Sequence, residues 1–436
     1  MIARLKSYWR AVDASYWFYP ALFAIAALLL ALWTIWLDRN GFAAFLNDVE
    51  WLQPARPQGA SNILTVIAGA MIGVASTVFS ITIAAVAYAS GNYGPRLLTN
   101  FMEDRGNQLS LATFIGTFVY AIMVLRVVRT QEETPIFGTD AGGMAGFVPQ
   151  LSLLVAFALA GLSVMVLVYF LNHIPASIRI NTVLKGIGKR LIDGIGQRFP
   201  DPDQGDLSIS IPAGDTIYAR HTGYVQVIDF SGLDRIARHG DGKLKLAVRP
   251  GDFVHPDMAL AVWSDTDSFA DLPADEIRNC FALGGMRTPQ QDMQFLMDEL
   301  VEIGLRALSP GINDPFTAIT ALHWMGAATA QLAKRDLRKS YGEEERIILL
   351  DDNFDHWVAR GFGAIRSGVA TNRIATLIMF DALVDAATTL DNETRRATLK
   401  REGDLLAAQA REHLVGPELD LVEARYQTFL TGIVRD

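Results

Sequence analysis

Residues 63–88 read ILTVIAGAMIGVASTVFSITIAAVAY. The run carries no charged residue and is long enough to cross the roughly 30 Å hydrocarbon core of a bilayer as a helix. A stripe of small and hydroxyl-bearing residues passes through it. Gly69, Gly73, Ser76 with Thr77, Ser80 and Ala84 recur three or four positions apart, so they share one helix face. A helix that only dissolves in lipid has no use for such a face. Either another helix approaches closely there, as the Gly69-x-x-x-Gly73 spacing allows, or the face meets water. In the second case Ser76, Thr77, Ser80 and Thr82 offer hydroxyls to solvent or ions.

Three more segments pass the same length test, giving spans at 18–36, 63–88, 109–128 and 148–171. Trp17 and Tyr19 mark one end of the first span, Trp33 and Trp36 the other, as in a retained anchor whose rings lie at both interfaces. The apolar run is also longer than a signal-peptide core, and no small-x-small cleavage site follows it. Over the whole chain of 436 residues, 50% are hydrophobic and 19% charged, which fits a membrane part joined to a soluble part. The net charge of -9 disfavours nucleic acid as a partner. A single cysteine, Cys280, excludes an internal disulfide and a four-thiolate metal site.

Basic residues set the expected direction of the spans. Arg4, Lys6 and Arg10 precede the first, Arg96 and Arg105 lie between the second and third, and Arg179, Lys185, Lys189 and Arg190 follow the fourth. By the positive-inside rule these flanks are cytoplasmic, as are both termini of an inner-membrane protein. The expected organisation is a four-helix transmembrane domain (1–172), a linker helix (173–204), a small β domain (205–266) and a cytoplasmic helical domain (267–436).

Within the β domain, Leu207–Ile211 and Tyr224–Ile228 alternate with period two, and Pro212–Asp215 and Arg249–Asp252 carry turn chemistry. Residues 250–260 are similar to the GDxVxxGxxL turn of biotinyl and lipoyl domains, with Asp257 where that pattern has glycine. This suggests a small barrel-sandwich-like module. No lysine stands in the context those domains modify, so a carrier role is rejected.

The third span repeats the small, polar theme with Thr113, Gly116, Thr117 and Tyr120. Below the second span, Gly91, Gly94 and Pro95 predict a helix break that could act as a gate or hinge, followed by a short amphipathic helix bearing Leu97, Leu98, Phe101 and Met102. Arg126 and Arg129 sit at the outer end of the third span, where they either snorkel to lipid phosphates or form a basic ring at an outer mouth. No Asp, Glu, Lys or His lies deep in any span, which argues against a proton-driven carrier and leaves a passive channel open.

In the helical domain, Thr288, Pro289 and Gln291 predict a capping box for the helix that follows. Asp298, Glu302 and Arg306 then read as solvated ion pairs on its polar face. Farther on, Asp314 and Pro315 read as N-cap and first helical residue. Around them, Ser309, Asn313, Asp314 and Thr317 form a polar turn that serves as a cap or as a ligand or subunit contact. The histidines are scattered, and the common signatures of catalysis and nucleotide binding are absent. No catalytic residue, metal or cofactor is expected.

Several motifs together resemble one bacterial family of membrane proteins, domain of unknown function 2254. They are Gly94-Pro95-Arg96-Leu97-Leu98, Asp104-Arg105-Gly106-Asn107-Gln108, Gly116-Thr117-Phe118-Val119-Tyr120 with Arg126, and the run from Ala307 to Ala318. The resemblance covers nearly the whole chain and implies a four-helix membrane region with a cytoplasmic domain. It implies no particular activity. The functional expectation is an oligomeric ion or solute channel surrounded by membrane lipid, regulated by its cytoplasmic domain. The alternative is a non-conducting scaffold or sensor that binds a partner or small ligand through the cytoplasmic helices.

Overall fold

The computed structural model describes residues 12–13, 15–42, 56–94, 104–129, 147–199, 214–265, 273–337, 340–341, 346–350, 352–388, 390 and 392–433. These fall into two compact units, the described residues from 12 to 91 and from 104 to 179 in one, and those from 180 to 433 together with 92–94 in the other.

The first unit contains four helices: α1 (Phe18–Arg39), α2 (Pro57–Tyr93), α3 (Arg105–Leu125) and α4 (Gln150–Ser177). All four are long and apolar enough to cross a membrane. The broadest contact joins α1 to α3, followed by α3 to α4. Ala27 and Ala31 of α1 meet Phe114, Tyr120 and Ala121 of α3 in a core that α4 completes with Ala156 and Phe170. Small residues allow the approach. A Cβ at Gly116 would stand 3.4 Å from the Phe23 carbonyl oxygen.

Hydrogen bonds tie these three helices where no water competes. The Tyr120 hydroxyl lies 2.9 Å from Thr34 Oγ1 and donates to the Ser152 carbonyl at 3.1 Å. The hydroxyls of Thr117 and Ser163 are 3.0 Å apart. Asp38, near the end of α1, accepts from Leu151 N at 3.0 Å, Ser152 N at 2.9 Å and Ser152 Oγ at 2.7 Å. It therefore satisfies the free N–H groups at the start of α4 and complements the helix dipole.

The second unit begins with α5 (Ile180–Arg198), followed by β1 (Asp215–Tyr218), β2 (Gly223–Ile228), α6 (Phe230–His239), β3 (Gly242–Leu246), β4 (Phe253–Val254) and β5 (Ala259–Asp265). Then come α7 (Ala274–Asn279), β6 (Phe281–Gly284), α8 (Met293–Ala307), α9 (Pro315–Ala333), β7 (Ser340–Tyr341) and β8 (Ile347–Ile348). The chain ends in α10 (Phe354–Val358), a π-helical turn (Ala359–Gly363), α11 (Ala364–Val369), α12 (Arg373–Ala387), α13 (Glu393–His413) and α14 (Pro417–Ile433).

The strands form two open sheets, ordered β1-β5-β3-β8-β7 and β4-β2-β6. Neither closes among the described residues, which show a mixed sheet layer with α6 on it and do not establish the expected barrel-sandwich detail. The layer also reaches past residue 266, because β6 pairs with β2 and β8 pairs with β3. The alternating stretch 207–211 lies outside the described residues. The Arg249–Asp252 turn forms as expected, with Arg249 N donating to Asp252 Oδ2 at 2.8 Å. Asp257 adopts φ +71°, the left-handed conformation for which glycine is the usual residue and which Asp tolerates better than most.

Helix α9 is the hub of the helical part, packing on α5, α8 and α12. Trp357, Phe362 and Phe380 are fully enclosed around it. The expected capping box is not made. Asp292 caps α8 by accepting from Phe295 N at 3.0 Å, and the helix begins at Met293. Gln291 instead reaches β2, where its amide accepts from Ile228 N at 2.8 Å and donates to Ile228 O at 3.1 Å.

Asp298 is not a solvated partner either. Both Arg287 and Arg360 close on it, at 2.5 and 2.6 Å, with only 15% of its side chain exposed. Arg287 continues to Asp292 at 2.6 Å, so one ionic chain links the α8 cap to the π-helical turn. Burial pushes the Asp292 carboxyl above its ordinary range, against the pull of Arg287.

Three stability changes follow, each read from thermal unfolding of the full chain in detergent. Asp38→Ala removes three hydrogen bonds to the carboxylate and should cost about 2 kcal/mol. Asp298→Ala takes the shared carboxylate from Arg360 and Arg287, leaving Arg287 with Asp292 alone, and should cost about 3 kcal/mol. Arg401→Ala breaks an exposed pair with Asp355 and should cost less than about 1 kcal/mol.

Candidate functional site

Helix α2 has two different sides. Leu64, Ile67, Ala68, Met71, Ala75 and Val78 are buried against the first unit's core. Gly69, Gly73, Ser76, Thr77, Ser80 and Ala84 are all exposed. The stripe is therefore not packed against another helix of the chain among the described residues. A Cβ added at Gly69 or Gly73 would meet nothing within 4 Å.

The hydroxyls on this side are internally bonded. Thr77 Oγ1 donates to the Gly73 carbonyl at 3.0 Å, and Ser80 Oγ to that of Ser76 at 2.9 Å. Their oxygen lone pairs remain as outward acceptors. Beside the stripe, Gly69, Gly73, Thr77 and Ile81 form one wall of a cavity of about 470 Å³, and Leu167, Phe170 and Leu171 of α4 form the other.

The third span behaves differently. Gly116 and Thr117 are buried at the α1 and α4 contacts described above, so they are packing residues. Thr113 is half-buried and donates to the Leu109 carbonyl at 2.9 Å. Of the small polar residues expected on the second and third spans, those on α2 are the exposed ones among the described helices.

The expected break is shifted. Helix α2 runs through Gly91, since one glycine costs a helix only about 1 kcal/mol. It ends at Tyr93, and Gly94 leaves with φ +124°. A Cβ on Gly94 would come within 2.5 Å of Glu302 Oε1, so this position meets α8 rather than the β layer. Pro95 and the amphipathic stretch after it lie outside the described residues. Arg126 and Arg129, just past the end of α3, are both exposed. The Arg129 backbone exchanges hydrogen bonds with Phe147 at 3.1 and 3.2 Å, and the Arg39 guanidinium lies 5.9 Å from the Phe147 ring.

Sequence reasoning missed a cluster at the opposite end of the unit. His173 Nε2 is 2.9 Å from Asp104 Oδ2, and Tyr169 OH is 3.2 Å from His173 Nδ1. Asp104 also caps α3 through Gly106 N at 2.8 Å. A Cβ at Gly106 would press on both His173 and Tyr169, at 2.7 Å each. The Asp104-Arg105-Gly106 motif is thus a cap and a close approach, with Arg105 reaching Asp13 at 3.3 Å.

The turn at 309–317 is explained locally. Ser309 Oγ donates to the Arg306 carbonyl at 2.6 Å, and Thr317 N and Oγ1 donate to Asp314 at 3.2 and 2.6 Å. Asn313 occupies the left-handed region at φ +49°, which asparagine tolerates. Ser309, Asp314 and Thr317 thus bond within the turn's own segment. The side chains left outside are Ile312 and Phe316, 39% and 69% exposed.

Comparison with known proteins agrees with this architecture. The predicted membrane protein family DUF2254 matches residues 13–385. An uncharacterized protein of Mycobacterium tuberculosis, Rv1290c, is 29% identical over 367 residues, covering 81% of this chain and 68% of its own. Its counterpart in Mycobacterium bovis, Mb1321c, is similar to the same extent, with 29% identity and coverage of 81% and 68%. No solved structure matches the chain. With four spanning-length helices and a match over most of its length, the chain belongs to the predicted membrane protein family DUF2254.

Proposed function

We propose that this protein is the subunit of an oligomeric membrane channel, with the outward face of α2 lining or flanking the conduit. The observation that carries this reading is the direction of the stripe. Bulky apolar side chains suit a lipid-facing surface, whereas glycine, serine and threonine suit a close helix or water. On α2 the small and polar Gly69, Gly73, Ser76, Thr77 and Ser80 are exposed, interleaved with the larger Val66, Ile72, Phe79 and Ile83. The larger side chains suit lipid, and a neighbouring copy or an aqueous path suits the small polar positions between them.

Basic flanks orient both termini and the second unit towards the cytoplasm of a bacterial inner membrane. The exposed Arg126 and Arg129 then lie at the outer mouth and favour anions. The second unit acts as a regulator, and the protein works without catalysis. A second reading is a non-conducting oligomeric scaffold. It is favoured by the bonding of Thr77 and Ser80 to their own helix, which lets the stripe pack dry against a neighbour.

Two measurements test these readings. Ser80→Cys should give disulfide-linked dimers on oxidation in native membranes, while Val78→Cys, on the buried face, should not. Absence of any linked species from Ser80→Cys sinks both readings. In planar bilayers the reconstituted protein should pass current, and Gly73→Trp should reduce it several-fold with little change in unfolding temperature, because the position opens onto empty space. Linked dimers with silent bilayers, over a range of ions, voltage and tension, select the scaffold.

A further inference from the structure

Among the described residues, the two most exposed large apolar side chains of the second unit's helical part sit at hairpin tips. Phe316, 69% exposed with Ile312 beside it, marks the α8–α9 turn, and Val415, 80% exposed, marks the α13–α14 turn. Contacts within this unit fix where the tips lie along it. A Cβ at Gly188 of α5 would run into the Trp324 ring of α9, and one at Gly196 would lie 3.9 Å from Arg335 Nη2. Arg335 also donates to the Phe199 carbonyl at 3.2 Å. Residue numbers rise together on the two helices, so α5 and α9 run parallel.

Gly188 stands eight residues after the start of α5, about 12 Å along it, and Trp324 nine after the start of α9, about 14 Å. The two helices therefore begin at nearly the same level. Helix α8 runs the other way beside them, with Glu299 at 3.7 Å from Arg190 and Met293 Sδ 3.3 Å from a Cβ built at Gly194. The α8–α9 turn is thus level with Ile180.

The second tip lies at the same end. Arg395, near the start of α13, donates to the carbonyls of Ala333 and Arg335 beyond the far end of α9. Farther along α13, Glu402 and Gln409 meet Arg366 of α11.

Ile180 is tethered to the membrane. Helix α4 exposes Met165, Val168 and Leu171 as a lipid-facing belt and ends at Ser177. Three residue steps separate Ser177 from Ile180, a reach of at most about 11 Å. This bound holds whatever angle the two units make. Around the tether, Arg179, Lys185 and Lys189 are exposed, and such a basic cluster attracts anionic headgroups. The second tip exposes Glu412, Glu418 and Asp420 beside His413 and an Arg411 held by Glu423, so it lacks the basic cluster that suits the first tip to lipid.

We propose that the α8–α9 turn is a membrane anchor. Ile312 and Phe316 enter the interfacial layer of the bilayer on the side where α4 ends, and Arg179, Lys185 and Lys189 hold its anionic headgroups. The turn is rigid before it binds, since Asp314 N donates to Ala307 O at 2.8 Å and Asn313 N to Ser309 O at 2.9 Å. Little conformational freedom is lost on insertion. This inference stands apart from the conduit reading and applies equally to a protein that does not conduct.

The full chain in nanodiscs tests it. Ile312→Cys carries an environment-sensitive NBD probe, and Lys334→Cys, at the far end of α9, carries the same probe as a control. Cys280 is buried, and burial pushes its thiol up to about 11, so the parent chain supplies the labelling blank. In discs of phosphatidylcholine and phosphatidylglycerol, headgroup-region spin-labelled lipid should remove at least about half of the emission at 312 and leave 334 unchanged. Phe316→Ser should weaken that quenching in a chain that still elutes as a single species. Replacing phosphatidylglycerol with phosphatidylcholine should weaken it too. Equal iodide access at 312 and 334 with no lipid quenching overturns the proposal. So does a 312 probe shielded from iodide and untouched by spin-labelled lipid, because a protein surface then covers the tip.

Discussion

Three helices of the membrane unit are held by the Tyr120 hydroxyl, which lies between Thr34 on α1 and the Ser152 carbonyl on α4. In hydrocarbon an unmade hydrogen bond has no water to fall back on, so this bridge fixes the rotation of all three helices at once. Asp38 repeats the device one turn away by seating the start of α4. With α1, α3 and α4 committed to each other, α2 joins through Leu64, Ile67, Met71 and Val78. Its small polar positions are left exposed among larger apolar ones, part of them along the cavity beside α4. The proposed function and its rival both descend from that arrangement.

The second unit rests on a different constraint. Its helical part and its sheets are joined by β8, which pairs with β3, and by the stretch from Arg287 to Asp298. There Gln291 bonds to β2, Asp292 caps α8, and Arg287 ties both carboxylates to Arg360 through Asp298. Partial burial raises the stakes of each pair, since removing one partner leaves an uncompensated charge. The unit should accordingly respond as one body to a displacement applied at α5.

The spans were legible because twenty apolar residues in a row have few alternatives. The Asp314 cap and the Arg249–Asp252 turn were legible because their chemistry is local. Which way α2 faces was not, because Leu64 and Met71 on one side are no more apolar than Ile72 and Phe79 on the other. A solvent as oily as the core removes the contrast that marks an inside. Thr288 looked like a cap because capping was judged on spacing alone, whereas Asp292 lay nearer the helix and Gln291 had a partner 63 positions away. Asp104 and His173 were hidden for the same reason, being 69 positions apart.

The Gln291 clasp has one more effect. Strand β4 is only two residues long and pairs with β2 at Gly223 and Tyr224, so among the described residues the far half of β2 has no strand on that side. An unprotected strand edge is a template for adding a foreign strand. The Gln291 carboxamide presents one acceptor and one donor to Ile228, as a peptide group would, and fills that vacancy with a side chain. A glutamine on a helix leader thus substitutes for a missing strand and guards the sheet against self-association through its backbone.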